Sequence, residues 1–153
     1  MFMKGEVQVR KSWSRVRLVI MLMIFSPALL ANGIVGVWKN IDDETKQAKA
    51  LIQISEDANG ELSGKIIKLL LNPTAICDKC DGERKNQPVD GMTILWGLRK
   101  DGENAWSHGK ILDPKKGKVY SANIKLIDGG KRLDVRGYLG ISLLGRSQIW
   151  ERQ

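Results

Sequence analysis

Two thiols and one imidazole are the side chains here with the most chemistry to offer. Cys77 and Cys80 are the chain's two cysteines, set as Cys77-Asp78-Lys79-Cys80 inside a polar stretch, 72–91, that also holds Pro73 and Pro88. A CxxC pair has three uses. In an oxidising compartment two lone cysteines close a structural disulfide, stabilising modestly because so small a ring removes little loop entropy. A thioredoxin-like redox site needs its first thiol at a helix N-terminus in a βαβ setting, and neither element is legible in this sequence. A structural zinc site takes four protein ligands, so the thiolates would have to recruit His108 or carboxylates such as Asp78, Asp81 and Glu83. The disulfide is the reading adopted, and no metal or cofactor is assigned.

His108 is the only histidine. By strand parity it shares a face with Trp106, Lys110 and Leu112. If that face is inward, His108 is a polar group and proton carrier in a pocket; if outward, it is an ordinary strand residue. No serine or cysteine stands at a diagnostic spacing from it, no nucleophile elbow is present, and the glycine pairs fall in turns rather than before helices, so nothing cradles phosphate. No catalytic residue is assigned, which leaves non-enzymatic binding as the leading functional class. The run Glu83-Arg84-Lys85-Asn86-Gln87-Pro88 reads either as a solvated loop or as a loop that gates a ligand or meets a partner. Arg99, Arg136 and Arg146 are expected to face outward, because an inward guanidinium needs a carboxylate partner.

The elements that must position these groups are strands. Apolar-rich runs recur at about 34–40, 50–55, 62–69, 92–99, 105–112, 118–127, 132–139 and 146–152. Turn chemistry separates most of them: Asn59-Gly60, Asp101-Gly102, Lys116-Gly117, Asp128-Gly129-Gly130 and the stretch Gly140 to Gly145. Asn59-Gly60 predicts a type I′ hairpin turn. Alternation is clearest late in the chain, with Leu133, Val135, Gly137 and Leu139 opposed to Asp134, Arg136 and Tyr138. No window carries a capped helical period; 42–49 has room for one helical turn. An antiparallel meander of this regularity must close on itself or hide its edges. The predicted fold is all-β, a small eight-stranded antiparallel up-and-down barrel. At eight strands the interior is filled by side chains or holds one small ligand.

Residues 1–31 read as an export signal, leaving a single domain over 32–153. Lys4, Arg10, Lys11, Arg15 and Arg17 make a basic start, Leu18 to Phe25 an apolar core, and Ala28 and Ala31 end two candidate cleavage sites. The competing reading is a retained anchor, since no charge falls between Leu18 and Trp38 and about 20 residues span a bilayer. Without the leader the chain keeps 20 basic and 16 acidic residues, so the net charge drops from +8 to +4. The basic residues are scattered apart from Lys115, Lys116 and Lys118, and no basic stripe is interleaved with aromatics, which argues against nucleic acid as a partner. Once the leader is cleaved, nothing remains to cross a membrane as a helix.

Two resemblances rest on particular residues. Gly36-Val37-Trp38, opening an eight-strand meander, resembles the GxW of lipocalins and their calycin relatives. The resemblance implies that Trp38 plugs one end of the barrel and that Arg152 packs across it. This domain is shorter than a typical lipocalin and lacks the flanking C-terminal helix, which speaks against a deep pocket. More extensively, 33–153 resembles the bacterial family catalogued as domain of unknown function 2147. The matching segments are Gly36-Val37-Trp38, Cys77 to Cys80 with Gly82 to Pro88, Ile94 to Leu98, Gly109 to Pro114 with Gly117 and Tyr120, and Val135 to Gly140 through Leu143 to Arg146. That resemblance implies an exported β-barrel protein of Gram-negative bacteria and implies no activity. The combined expectation is a periplasmic protein that binds a small apolar or amphipathic molecule. Trp96, Trp106, Tyr138, His108 and the 72–91 loop are the expected ligand site. The alternative is an envelope-associated module with a filled barrel that contacts a protein partner.

Overall fold

The computed structural model describes residues 33–153; the predicted leader lies outside them. Eight strands follow one another around a closed barrel: β1 (Gly36–Ile41), β2 (Ala48–Glu56), β3 (Leu62–Leu69), β4 (Thr93–Lys100), β5 (Ala105–Asp113), β6 (Lys118–Ile127), β7 (Arg132–Tyr138) and β8 (Arg146–Arg152). Each pairs antiparallel with its neighbours, and β8 closes on β1 through Trp38↔Arg152, Lys39↔Glu151 and Asn40↔Trp150. Ring closure satisfies both edges that a meander would otherwise expose. Each strand lies within two residues of the span its sequence pattern predicts.

The period-two pattern does its expected work on most strands. In β3, Leu62, Gly64 and Ile66 are buried while Ser63, Lys65 and Ile67 are exposed. In β6, Ala122, Ile124 and Leu126 are buried. Two bulges reset the parity. Gly97 in β4 adopts φ 73° and His108 in β5 adopts φ 64°, and the β5–β6 register shifts between Trp106 and Gly109. A bulge inserts one residue and turns the following side chains to the other face.

The β2–β3 turn departs from the prediction. Only Gly60 of the Asn59-Gly60 pair has positive φ, at 76°. The Asp57 carbonyl accepts the Gly60 N–H at 3.1 Å, and the Asp57 carboxylate accepts the N–H groups of Asn59 and Glu61. The Asp57 side chain thereby favours a three-residue loop with a left-handed glycine over a two-residue type I′ turn. The polar 42–49 segment splits into a turn and the start of β2, with the Lys46 N–H donating to the Asp42 carbonyl at 2.9 Å.

The two ends of the barrel differ. The β2–β3, β4–β5 and β6–β7 connections are short and lie at the end where β1 begins. There the strap 33–35 runs past the opening, and Trp38 is fully buried with its Nε1–H donating to the Ile34 carbonyl at 2.8 Å. The Arg152 guanidinium lies over the Trp38 ring, 4.2 Å from its centroid, and donates to the carbonyls of Gly130 and Gly33. Gly36 is required beneath it: its φ is 141°, and a Cβ there would sit 3.1 Å from Arg152 Nη1. The GxW–Arg arrangement is therefore a hydrogen-bonded, cation-capped plug.

The opposite end carries the longer connections, 42–47, 70–92 and 139–145, with the β5–β6 turn at 114–117. Arg146 ties two of them together by pairing with Asp43 and, at 3.0 Å, with Glu44. Asp42 accepts the N–H of Thr45 at 2.8 Å and the Lys49 ammonium at 3.1 Å. Both carboxyl groups are held below the ordinary aspartate value of 3.8, Asp42 chiefly by the Thr45 N–H and then by Lys49, and Asp43 by the Arg146 guanidinium. Carboxylates depressed in the folded state stabilise it above their unfolded pKa, and that stability is lost as the pH falls through the folded value. Thermal midpoints are thus expected to stay level between about pH 7 and about pH 5 and to fall below about pH 4. Scanning calorimetry across that range checks this, and an Asp42→Asn/Asp43→Asn variant should show a shallower acid decline.

Candidate functional site

A cavity of about 780 Å³ occupies the loop-bearing half of the barrel. Its walls are aliphatic, with Ala50 and Ile52 from β2, Ile66 from β3, Ile94 from β4 and Val135 from β7. Trp150 of β8 also lines it and is 1% exposed. The other half is packed by Trp38, Ile54, Leu62, Leu98, Trp106 and Leu133. The barrel is thus half filled and half hollow. The volume falls within the range of small-molecule sites, roughly 300–1,000 Å³.

Polar groups enter the cavity in two places. Along the β8–β1 wall, Asn40 Nδ2 donates to Gln148 Oε1 at 3.0 Å. Around the mouth stand Lys49, Lys79, Lys115, Lys116 and Arg146 together with Asp78 and Asp113. Most of those cations are engaged: Lys49 with Asp42, Lys116 with Asp113 at 3.8 Å, and Arg146 with Asp43 and Glu44. The mouth is charged without being strongly of one sign.

The 70–92 connection forms part of the cavity wall through Leu71, Thr74, Ala75, Ile76 and Val89. It is held in three ways. An isolated bridge joins Ile76 to Pro88. A disulfide joins Cys77 to Cys80, both buried. The loop also abuts the β5–β6 turn, where a Cβ on Gly117 would lie 1.9 Å from the Lys79 carbonyl oxygen; Gly117 has φ 67°, so glycine is needed for both reasons. With both sulfurs in the disulfide, neither is available as a thiolate for metal or redox chemistry. Alkylation of the unfolded, unreduced protein is expected to add no label, and alkylation after reduction to add two; mass spectrometry reads the difference.

None of the four residues expected at the ligand site lines the cavity. Trp96 is half-buried on the outer wall, where the Arg84 guanidinium from the 70–92 connection lies 4.6 Å from its ring centroid. Trp106 belongs to the packed half of the core. Tyr138 lies half-buried opposite Ser121, its hydroxyl donating to Asn123 Oδ1 at 3.5 Å. His108 is exposed, because the bulge at its own position turns it away from Trp106. The 72–91 loop, in contrast, does reach the cavity. Arg99 faces outward toward Glu61 at 3.5 Å, Arg136 binds the carbonyls of Ser142 and Leu143, and Arg146 stands at the mouth.

The wall residues Asn40, Gln148 and Trp150 were not singled out as a site from sequence, although a signal was there. Asn40 follows the inward Trp38 by two residues and Gln148 precedes the inward Trp150 by two, so each is an amide on an inward parity. An interior amide on a barrel strand marks either a polar network or a cavity surface.

A second feature of the mouth is apolar and exposed. The β7–β8 connection, with a 3₁₀ turn over Ser142–Leu144, presents Leu139, Ile141, Leu143 and Leu144, the last two 86% and 79% exposed. Four large aliphatics exposed within six residues form a patch beyond the scattered apolar exposure usual for a protein surface.

A closed eight-stranded meander with a plugged end and a cavity at the other defines a lipocalin-like barrel. Among solved structures the chain is similar to protein HP1028 from the human pathogen Helicobacter pylori, described as belonging to the lipocalin family; the TM-score is 0.68 at 18% identity, over 79% of this chain and 83% of that one. Likeness at this identity is one of fold. Residues 36–152 match the family described as uncharacterized protein conserved in bacteria (DUF2147), and the chain belongs to that family. No curated protein matches the chain.

Proposed function

We propose that this protein is a periplasmic carrier that binds a small apolar or amphipathic molecule without transforming it. The observation carrying this reading is the aliphatic cavity of about 780 Å³ open at the loop-bearing end. Burial of apolar ligand surface supplies the affinity, at about 25 cal/mol per Å², and the few wall and mouth polar groups set the orientation. Export is supported by the basic start, apolar core and small residues of the leader, and by a disulfide suited to an oxidising compartment. Titration with the neutral fluorophore N-phenyl-1-naphthylamine should give saturable binding at one molecule per chain. Native mass spectrometry of protein purified from its own cells should show a small adduct. Failure of both overturns the reading.

A second reading is favoured by the exposed Leu139–Leu144 segment: an envelope-associated interaction module that contacts a protein partner through this patch. The two readings make opposite demands on the loop. Replacing Leu143 and Leu144 by serine should leave fluorophore binding unchanged if the cavity is the site, and should abolish partner contact if the loop is.

A further inference from the structure

The β8–β1 wall of the cavity has hydrogen-bonding capacity that the protein does not use. Trp150 lines the cavity and is 1% exposed, and its buried Nε1–H has no partner among the described residues. An unmade hydrogen bond at a buried donor costs the full desolvation of that group, so such atoms are rare in folded proteins and call for an explanation. The plug tryptophan shows the usual solution, since Trp38 Nε1 donates to the Ile34 carbonyl. Trp150 stands directly opposite Asn40 in the β1–β8 register. Gln148 shares its strand face, two residues away. Asn40 and Gln148 spend one donor and one acceptor on each other, at 3.0 Å. That leaves the Gln148 amide nitrogen as a further donor and the Asn40 amide oxygen as an acceptor beside the Trp150 indole, all three residues lining one cavity.

We propose that Asn40, Gln148 and Trp150 form a polar subsite that recognises an uncharged oxygen on the ligand, such as a ketone, ester or alcohol oxygen, held within an otherwise aliphatic chamber. The proposal rests on the cavity being the ligand site. The spare Gln148 donor beside the Asn40 acceptor suits a carbonyl or hydroxyl oxygen, and a small rotation of the Trp150 indole, whose Nε1 is itself covered, brings a second donor to that oxygen. A carboxylate is disfavoured at this depth. The cations of the lining stand at the mouth, Lys49, Lys116 and Arg146 paired with acidic residues and Lys79 and Lys115 exposed to solvent, and the three subsite residues carry no charge. An ionised group buried beside them would lack a counterion.

The test compares three probes of one ring system on the full-length purified protein: 2-acetylnaphthalene, 2-ethylnaphthalene and 2-naphthoate, titrated calorimetrically at pH 7. The acetyl probe should bind at least as tightly as the ethyl probe, although its carbonyl is the better hydrated in water, and the naphthoate should bind most weakly. Gln148→Met should weaken the acetyl probe about fivefold, the scale of one neutral hydrogen bond, and leave the ethyl probe unchanged. Trp150→Phe should do the same, and Gln148→Met keeps the test decisive if that core change impairs folding. An acetyl-to-ethyl ratio unmoved by Gln148→Met, or naphthoate binding best, overturns the subsite while leaving the cavity reading in place. Binding of none of the three overturns the cavity reading itself.

Discussion

Replacing Trp38 by alanine is expected to lower the stability of the fold by about 3–5 kcal/mol, the range for truncating a buried tryptophan. The indole is fully buried, donates to the Ile34 carbonyl and lies under the Arg152 guanidinium. Its loss removes the packing of the plugged half, orphans a carbonyl of the strap and strips Arg152 of the ring it covers. Domains of this size are stable by about 5–15 kcal/mol in total, so the variant should stand close to the limit of folding. Urea titration followed by far-UV circular dichroism reads the midpoint. Arg152→Ala should cost less, because the ring remains buried and the lost guanidinium contacts are partly exposed. A Trp38→Ala midpoint equal to that of the unaltered protein would remove the plug from its structural role.

Filling the cavity should have the largest effect on binding. Ala50 is buried, lines the cavity and stands between Asn40 of β1 and Leu69 of β3. Ala50→Trp places an indole into existing space, so the strain usual for overpacking, about 1–3 kcal/mol in a well-packed core, is largely avoided. Affinity for N-phenyl-1-naphthylamine is expected to fall by at least about tenfold, equivalent to about 1.4 kcal/mol, while the urea midpoint moves little. Unchanged affinity would relocate the probe to a surface, with the exposed Leu143–Leu144 segment first in line.

Most of the scaffold was legible because it rests on local chemistry. Period-two alternation and glycine-bearing turns placed all eight strands, and GxW with a terminal arginine placed the plug. The site was less legible, for identifiable reasons. Counting along the strand puts His108 on one face with Trp106, but the bulge at His108 is held by backbone conformation that side-chain periodicity does not encode. Tyr138 is different: its parity opposed it to Leu133, Val135 and Gly137 from the start, so its attraction as a ligand group rested on its being aromatic. Asn40 and Gln148 have the right parity, but a single amide on a strand does not by itself distinguish a cavity wall from an ordinary strand position. The hollow itself is a property of facing strands taken together, and it depends on which inward positions are small, such as Ala50 and Gly137.

The uneven sharing of connections between the barrel's two ends bears on how such proteins diversify. Tight hairpins and the tryptophan plug sit at one end, and the 42–47, 70–92 and 139–145 segments at the other. The second set is open to grafting: a segment exchanged from another family member would reshape the mouth of the cavity without disturbing ring closure. One exchange carries a condition. Gly117 fits against the Lys79–Cys80 backbone with no room for a side chain, so a transplanted 70–92 segment should travel with its matching 114–117 turn, as a lock travels with its key.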